Sequence, residues 1–416
     1  MTWLRRPARR LALALAAGLL LVSGCGSISA DTPGGAAQPA AEAPAAASCA
    51  ASPGTWTATE PASPGSRNND LTGVVALAAD NVWAVGTSAD LNGGQTLIEH
   101  WNGATWSVIT SPNPGGSGNF LSAVSAVSTS DVWAVGEAQS GGESKTLIAR
   151  WNATAWQQVP SPSPGPDSYL TGVRAVSAKD AWAVGYYNRG PSGASRSLIL
   201  HWNGTRWAQV PSPAPGASSK LDAVTAVSAT SAWAVGSSGG QQTGSPFILH
   251  WNGTAWTQEE APVQGTGSEL RSVAATSTAN VWAAGDETDS AGQQGLILHW
   301  NGTDWTRTPN PGPGGRGLVE TLTGTAATSP ANAWAVGYIY NGAGYQSLIL
   351  RWNGTAWTQA ASPNPEAGGN LSDIAASSPT SAWAVGQFGA VGGDHAFAVR
   401  YCPPAADKSA SAGGDV

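Results

Sequence analysis

The sequence has little charge, one methionine and few phenylalanines. Charged residues make up 11% of its 416 positions, Met occurs once, Phe four times and Cys three times. So little charge, combined with 53 glycines and 28 prolines, excludes a coiled coil and a helix-rich enzyme, because Gly and Pro interrupt helices. Tryptophan, in contrast, occurs 21 times. A core built on one aromatic residue type indicates one structural unit that is copied several times.

The chain is acidic overall. Its formal net charge is −7, from 19 basic and 26 acidic residues. The first 24 residues contain four arginines and no acid, so the remainder has 15 basic residues (19 − 4) and a net charge of −11 (15 − 26). An acidic surface repels phosphate backbones, and we therefore expect no nucleic-acid partner.

The N-terminal residues have the order of regions that is typical of a secretory signal. The four arginines precede an apolar run from Leu11 to Val22, which is too short to span a bilayer. The run ends in Val-Ser-Gly-Cys25, which resembles a bacterial lipobox. That resemblance implies a signal peptide at residues 1–24 and a lipid with acyl chains such as palmitate on Cys25. A plain secretory signal is the alternative; the lipoprotein hypothesis predicts anchoring to the outer face of a bacterial cell membrane.

Two segments lack residues that could form a core. Residues 25–48 are mostly Ala, Pro, Gly and Ser, and residues 403–416 have the same character. Such composition is typical of disordered chain. We predict a flexible tether at 25–48 and a disordered tail at 403–416.

Two tryptophan motifs repeat with a period of about 50 residues. Trp-Ala-Val-Gly, once Trp-Ala-Ala-Gly, begins at Trp83, Trp133, Trp182, Trp233, Trp282, Trp334 and Trp383. Trp-Asn-Gly or a close variant begins at Trp101, Trp151, Trp202, Trp251, Trp300 and Trp352, and five residues after each stands another Trp. With Trp56, these positions account for 20 of the 21 tryptophans, so tryptophan is predicted to be framework.

Each repeat is predicted to form four short antiparallel strands. In the second repeat these are Leu121 to Val127, Asp131 to Glu137, Thr146 to Trp151 and Ala155 to Val159. The last two are joined through Asn-Gly in most copies, which is the strongest short hairpin signal. The pattern predicts an all-β protein, a seven-bladed β-propeller with four strands per blade over residues 49–402.

The last repeat is predicted to be completed by the N-terminal strand. Tyr401 follows Trp383 at the usual spacing, but no fourth strand comes after it, whereas Gly54 to Ala58 resembles the fourth strand of other repeats. Cys49 and Cys402 would then lie at the two ends of the same hairpin. Because disulfides persist outside the cytoplasm, we predict a Cys49–Cys402 bridge, with free thiols as the alternative.

These motifs resemble known propeller families. The period, the four-stranded units and the Trp motifs are similar to the Kelch and galactose-oxidase-like propellers, and more closely to Trp-rich propeller repeats of secreted actinobacterial proteins. The resemblance covers about residues 49–402 and implies the fold, whereas propellers host many unrelated activities. The copper site of galactose oxidases needs a cysteine cross-linked to tyrosine, and no cysteine is left for it here. The repeated box of sialidases is absent as well.

The histidines do not indicate a metal site. His100, His201, His250 and His299 occupy one repeat position, which Arg fills in two other copies, so they are predicted to be strand-face residues. Two short acidic loops, at residues 90–93 and 286–289, match calcium-binding loops only in part. We predict no catalytic residues, no metal, no cofactor and no enzymatic activity.

A binding site is expected where long loops gather. The connections between fourth and first strands, and between second and third strands, are long and vary between repeats, and we call the face that would hold them the loop face. Its aromatic and polar residues are the candidate ligand contacts: Tyr169, Tyr186, Tyr187, Arg189, Tyr338, Tyr340, Tyr345, Phe388 and His395. Exposed aromatics beside polar groups suit a sugar or a protein epitope, and packing against their own loops is the alternative.

Two classes of function remain open from the sequence. The first is a lipid-anchored, monomeric binding or scaffold module that recognises an envelope protein or a glycan through the loop face. The alternative is a propeller enzyme that acts on a polysaccharide as a lyase or hydrolase.

Overall fold

The computed structural model describes residues 54–190, 194–239, 244–263, 267–289, 292–312, 318–365, 368–390 and 393–403. These residues belong to one compact unit, Ala46–Val416. The predicted signal peptide, the tether, Cys25, Cys49 and nearly all of the tail lie outside them. No helix in the described ranges has the length and apolar character needed to cross a membrane.

The secondary structure of the described residues consists of β-strands. In chain order they are β1 (Thr55–Thr59), β2 (Asn68–Ala78), β3 (Asn81–Asp90), β4 (Gly93–Trp101), β5 (Trp106–Val108), β6 (Gly118–Ser128), β7 (Asp131–Ser140), β8 (Glu143–Trp151), β9 (Trp156–Gln158), β10 (Ser168–Ser177), β11 (Asp180–Asn188), β12 (Ser195–Trp202), β13 (Trp207–Val210), β14 (Ser219–Ser228), β15 (Ser231–Ser238), β16 (Ser245–Trp251), β17 (Trp256–Glu259), β18 (Glu269–Ser277), β19 (Asn280–Asp289), β20 (Gly292–Trp300), β21 (Trp305–Arg307), β22 (Val319–Ser329), β23 (Asn332–Tyr340), β24 (Tyr345–Trp352), β25 (Trp357–Ala360), β26 (Gly369–Ser378), β27 (Ser381–Ala390) and β28 (Gly393–Cys402). The all-β prediction is confirmed.

The strands form repeated antiparallel units. Four sheets contain four strands each, β10–β13, β14–β17, β18–β21 and β22–β25, and a larger sheet contains twelve strands. Within the larger sheet, parallel pairing is limited to single residues, Asn68 with Asp394 and Gly94 with Gly118. The first strands of successive units pack side by side, β6 and β14 on either side of β10. This arrangement of four-stranded units is that of a β-propeller.

The N-terminal strand pairs with the C-terminal one, as the sequence predicts. β1 runs antiparallel to β28, with Thr55 opposite Cys402 and Trp56 opposite Tyr401. The Trp56 ring is buried and contacts Trp334 edge to face at a centroid distance of 5.2 Å. Cys402 is buried. Because Cys49 lies outside the described residues, its pairing with Cys402 stays a prediction.

Tryptophans pack between neighbouring units and form the framework that the sequence predicts. Trp182 is fully buried and contacts Trp251 and Trp256 of the next unit at centroid distances of 5.0 and 5.2 Å. His201 lies over the Trp182 ring at 4.2 Å, and Arg150 takes the equivalent place over Trp133 at 4.5 Å. The remaining histidines of this position lie on Trp rings in the same way. The repeated histidines therefore belong to the packing, as predicted.

A bulge explains the glycine of the Trp-Ala-Val-Gly motif. In each unit, the pairing register between the first and second strands shifts after a leucine that recurs at this position, for example between Leu170 and Gly172. The shift brings the carbonyl oxygen of Tyr169 against Gly185, where an added Cβ would stand closer than the 3.0 Å that real Cβ atoms keep. Gly86, Gly136, Gly236, Gly285, Gly337 and Gly386 face the equivalent carbonyl in their units. The glycine thus fixes the backbone next to the residue at the Tyr169 position.

Candidate functional site

The two kinds of long connection lie on the same face. The Asn188 amide, at the end of β11, donates a hydrogen bond of 2.9 Å to the carbonyl of Asp167, which precedes β10. Ser144, in β8, forms a parallel bridge with Asp167 as well. The connection between second and third strands therefore meets the connection between fourth and first strands, and together they form the loop face.

Side chains at the start of each first strand are the candidates for ligand contact, because they lie at the loop face and beside the bulge. This position is occupied by Asp70, Phe120, Tyr169, Lys220, Glu269, Thr321 and Asn370, each paired with the residue after the motif glycine. The chemistry differs from unit to unit while the backbone repeats. Any specificity of this face therefore comes from side chains on rigid strands as well as from loops.

A tyrosine pair stands at one edge of a pocket on this face. Tyr169 and Tyr186 are paired across β10 and β11, and their rings stack at a centroid distance of 4.8 Å. Burial raises the pKa of the Tyr186 hydroxyl to about 12, and the nearby Tyr169, Glu137 and Asp222 add to the rise. The Tyr186 hydroxyl is therefore protonated at neutral pH and can donate a hydrogen bond.

An ion-pair network lies near the tyrosine pair and lines the same pocket. Lys220 forms ion pairs with Glu269 and, at 3.7 Å, with Asp222. Arg271 contacts Glu269 at 2.9 Å and donates from Nε to Asp286 at 2.7 Å. These five residues come from β14, β18 and β19, so the network joins two neighbouring four-stranded sheets. It holds three carboxyl groups against two cations.

One carboxyl group of the network is held partly protonated near neutral pH. Burial raises the pKa of Asp222 to about 6, with Glu269 adding to the rise and Lys220 opposing it. Its Oδ2 is buried and has no hydrogen-bond partner among the described residues. Burial also raises the pKa of Asp286, against the lowering effect of Arg271. A buried acceptor without a partner is costly, so a ligand that donates to Asp222 would be favoured.

The groups surround a concave pocket, which we call the loop-face pocket. Its volume is about 800 Å³, and its side-chain lining includes Tyr186, Lys220, Glu269, Arg271, Asp286 and Gln293. The Gln293 side-chain amide donates to Asp286 at 3.0 Å and to Thr321 at 2.9 Å, and these bonds hold Gln293 in the lining of the pocket. A second cavity of about 410 Å³, the channel cavity, is lined by the first strands, and Arg271 borders both.

The predicted ligand residues fall into separate groups. Tyr186 lines the loop-face pocket and Tyr169 stacks on it, whereas Tyr187 packs against the core between two units. Arg189 is exposed in the connection after β11 and does not line the pocket. The structure thus brings two of these four residues together.

A second aromatic group lies in the hairpin of β23 and β24. Tyr345 contacts Tyr338 at a centroid distance of 5.2 Å and Tyr340 at 5.1 Å. Tyr340 is 38% exposed and Tyr345 48% exposed, which leaves both available to a ligand. Their role in binding stays a prediction.

Phe388 and His395 form the last group. Their rings stack at 5.4 Å across β27 and β28, and Phe388 also contacts Phe397 at 6.1 Å. This pair packs against its own hairpin, and its role in binding stays a prediction.

Sequence reasoning missed Lys220, Asp222, Glu269 and Arg271. The available signal was their departure from the repeat: where Asp222 and Arg271 stand, Thr72, Ser122, Thr171, Thr323 and Ser372 stand in the other units. Within the described residues, no three His, Cys, Asp or Glu side chains gather in a way that could hold a metal ion. Asp286, from the calcium-like loop, is engaged with Arg271 and Gln293 instead.

Comparison with known proteins finds similarity only at the level of structure. No protein-family model and no curated protein sequence matches the chain. A structure of YCF48 bound to a D1 peptide has a TM-score of 0.53 at 17% identity, over 83% of this chain and 96% of that one. YCF48 from Cyanidioschyzon merolae has a TM-score of 0.51 at 14% identity, over 83% and 98%. The GH74 xyloglucanase from Xanthomonas campestris has a TM-score of 0.52 at 14% identity, over 81% of this chain and 53% of that one.

One prediction from the sequence is corrected by these similarities. The expectation that the chain is not an enzyme is wrong as an inference from its fold, because a glycoside hydrolase is among the structures with this fold. The lack of a known catalytic motif does not outweigh this, since catalytic groups on a propeller need not follow the repeat. At such low identities the similarities show the fold alone, and the fold of this chain is a β-propeller.

Proposed function

We propose that this protein binds a glycan or a peptide in the loop-face pocket. The observation that carries the proposal is that Tyr186, stacked on Tyr169, lines the same concavity of about 800 Å³ as the Lys220–Glu269–Arg271 ion pairs. An aromatic edge beside charged groups on rigid strands is suited to ligands that combine apolar faces with many hydrogen-bonding groups.

The charged groups can still bond to a ligand. The side chains of Lys220 and Arg271 are 35% and 34% exposed, so the network is held in place yet reaches solvent. The carboxyl groups of Glu269 and Asp286 also line the pocket and offer oxygen acceptors. Hydroxyl groups of a sugar or amides of a peptide would supply donors to the carboxylates and acceptors to the cations.

Peptide binding has a precedent on this fold. One of the similar structures is YCF48 with a D1 peptide bound. That precedent supports a peptide as one of the two ligand classes proposed here.

The cellular setting is also a proposal. We propose that the twelve-stranded sheet contains three blades joined by its single-residue parallel bridges, so that the ring has seven blades. We also propose that the chain is related to the Trp-rich, Kelch-like propellers of secreted actinobacterial proteins. The basic, apolar and small-residue order before Cys25 supports a monomeric lipoprotein on the outer face of the cell membrane, with an envelope protein or glycan as partner.

The loop-face pocket can be tested with glycan and peptide arrays. We expect saturable binding to one class, and we expect Tyr186→Ala to weaken it by about tenfold or more, the loss typical of an aromatic anchor. Tyr340→Ala is the matched control, because Tyr340 is exposed on the same face but belongs to the second aromatic group. Affinity measured on the two purified variants checks the prediction. Full binding by Tyr186→Ala with loss in Tyr340→Ala would move the site to that second group, and two blank arrays would remove the proposal.

A second candidate is a polysaccharide lyase or hydrolase. The observation in its favour is the Asp286 carboxyl, which lines the loop-face pocket together with Glu269, and whose pKa is raised by burial with a further contribution from Glu269. Two neighbouring carboxyl groups, one with a raised pKa, are the arrangement used for general acid catalysis in glycosidases.

The enzymatic candidate predicts cleavage that depends on Asp286. Incubation with a panel of polysaccharides is expected to release reducing ends, and Asp286→Asn is expected to lower the rate by about a hundredfold or more, because the amide cannot transfer the proton. Asp304→Asn, in an exposed turn, is the control. Products from none of the polysaccharides, or equal rates in both variants, would rule out catalysis at this carboxyl.

A further inference from the structure

An arginine stands inside the ring of first strands. Arg174 lies in the middle of β10 and lines the channel cavity of about 410 Å³. Arg174 pairs with the Trp of the Trp-Ala-Val-Gly motif in its unit. The residues that pair with this Trp in the other units are uncharged: Val75, Ser125, Thr225, Ala274, Ala326 and Ala375. Arg174 is therefore a single cation at this level of the channel.

No group among the described residues compensates the charge of Arg174. Its guanidinium forms no ion pair and no side-chain hydrogen bond with any described residue, whereas Arg150 forms a bidentate pair with Asp131, and Arg271 contacts two carboxylates. Burial lowers the pKa of Arg174, and no acidic group opposes that effect. The guanidinium nevertheless stays charged, because its pKa is far above neutrality. The walls of the channel enclose Arg174, but its side chain keeps accessible surface inside the channel, so its N–H donors are open to a small molecule.

The surroundings of Arg174 are polar on one side and apolar on the other. The adjacent first strands, β6 and β14, carry the hydroxyl residues Ser125 and Thr225 at the same level. Ser125 Oγ accepts the Ala175 amide at 3.0 Å, so its own hydrogen remains to be donated. The rest of this level is hydrocarbon, from Val75, Ala274, Ala326 and Ala375.

We propose that the channel cavity binds a small organic monocarboxylate, whose carboxylate pairs with Arg174 and whose hydrocarbon part lies against the alanine and valine side of the channel. A planar carboxylate matches the fork of a guanidinium in a bidentate pair. The cavity is large enough for such a molecule but too small for a polymer chain. This site is separate from the loop-face pocket and does not depend on its function.

A dianion such as phosphate fits this site less well. The cavity holds one unpaired cation, whereas Asp222 and Asp373 also line it. The Asp373 carboxylate accepts the Val74 amide at 3.0 Å and is part of the packing between units. A second negative charge on the ligand would be repelled by these acids, and the net charge of −7 adds to that repulsion. Arg271 borders both cavities, so the channel cavity lies next to the loop-face pocket.

The test uses the purified full-length chain with isobutyrate as the probe, observed by saturation-transfer NMR. We expect saturable binding of isobutyrate and no binding of isobutyramide, which has the same shape without the charge. Arg174→Gln is expected to weaken isobutyrate binding by about tenfold or more, and Arg174→Lys by less, because it keeps the charge and loses the fork. Arg189→Gln, at the exposed arginine of the β11–β12 connection, is expected to bind as the unaltered chain does.

Three results would overturn the proposal. These are equal binding of isobutyrate and isobutyramide, unchanged affinity in Arg174→Gln, and displacement of isobutyrate by a lower concentration of inorganic phosphate. The comparison of acid and amide is made on the unaltered chain, so it decides the question even if both Arg174 variants fail to fold. Tyr186→Ala is expected to leave isobutyrate binding unchanged, which separates this site from the loop-face pocket.

Discussion

Replacing Gly185 with alanine is expected to destabilise the protein by about 3 kcal/mol or more. The added Cβ would collide with the carbonyl oxygen of Tyr169 and crowd the Leu170 Cα, and both are backbone atoms in a paired strand. Backbone in the middle of a sheet cannot move aside as a side chain can, so the bulge in β10 would have to open. The free energy of unfolding, measured by denaturant titration, checks this prediction.

Gly344→Ala is the matched control for the glycine prediction. An added Cβ at Gly344 meets nothing within 4 Å, and its φ is not in the left-handed region. We expect its effect to stay within about 0.5 kcal/mol. Equal stabilities of the two variants would show that the bulge tolerates a side chain, and that the motif glycine has another cause. A related outcome follows for the site: Gly185→Ala should also weaken ligand binding, because the same bulge places Tyr169 beside Tyr186.

Replacing Glu99 with glutamine is expected to stabilise the protein by about 3 kcal/mol at alkaline pH and to change little at acid pH. Glu99 is fully buried in β4, where the other units have Ala149, Leu200, Leu249, Leu298, Leu350 and Val399. Its Oε2 accepts the Ala62 amide at 2.9 Å, whereas Oε1 is buried and has no hydrogen-bond partner among the described residues. Burial raises its pKa to about 7, against the lowering effect of the Ala62 hydrogen bond.

The sign of the pH dependence follows from the two states. The folded protein binds the Glu99 proton more tightly than the unfolded chain, whose pKa is near the ordinary value of 4.5. Stability from this group is therefore complete below pH 4.5, falls as the pH rises to about 7, and is lost above it. Glutamine can still accept the Ala62 hydrogen bond and has no charge to bury, so the part of the decline that comes from Glu99 should be absent.

Unfolding midpoints of both proteins at about pH 5 and about pH 8 check the Glu99 prediction. Glu143→Gln is the control, because Glu143 is exposed and pairs only with the exposed Lys145, and its effect should be small at both pH values. A parallel decline in the unaltered protein and in Glu99→Gln would contradict the assignment to Glu99. Some decline will remain in every variant, since burial raises the pKa of Asp70, Asp222 and Asp373 in the same direction.

The repeated framework could be predicted from the sequence because the same residues make the same packing contacts in each unit. The spacing of the motifs alone identifies Trp182 and Trp256 of the next unit as framework residues, and their rings contact each other in the core. The pairing of Trp56 with Tyr401 could be predicted in the same way, since both are members of an incomplete copy. The need for the motif glycine could be noticed but not explained, because the bulge that requires it is a feature of strand pairing.

The candidate site could be predicted only in part. Tyr186 was found because aromatic residues outside the repeat motifs stand out in the sequence. Lys220 and Arg271 were not, because each is a single charge in its strand, and the sequence does not show that Lys220 of β14 and Arg271 of β18 both pair with Glu269. Arg174 is similar: its lack of a partner is a property of the channel and not of its neighbours in sequence.

The sequence by itself thus determined the all-β repeat, the tryptophan framework and the pairing of the two terminal strands, because each depends on residues that recur at a fixed spacing. The tertiary structure alone decided which side chains share the loop-face pocket, which carboxyl groups have a raised pKa, and which arginine in the channel has no partner among the described residues. Those properties depend on burial and on distances between residues about 50 positions apart, and first strands of neighbouring units come together only when the ring forms.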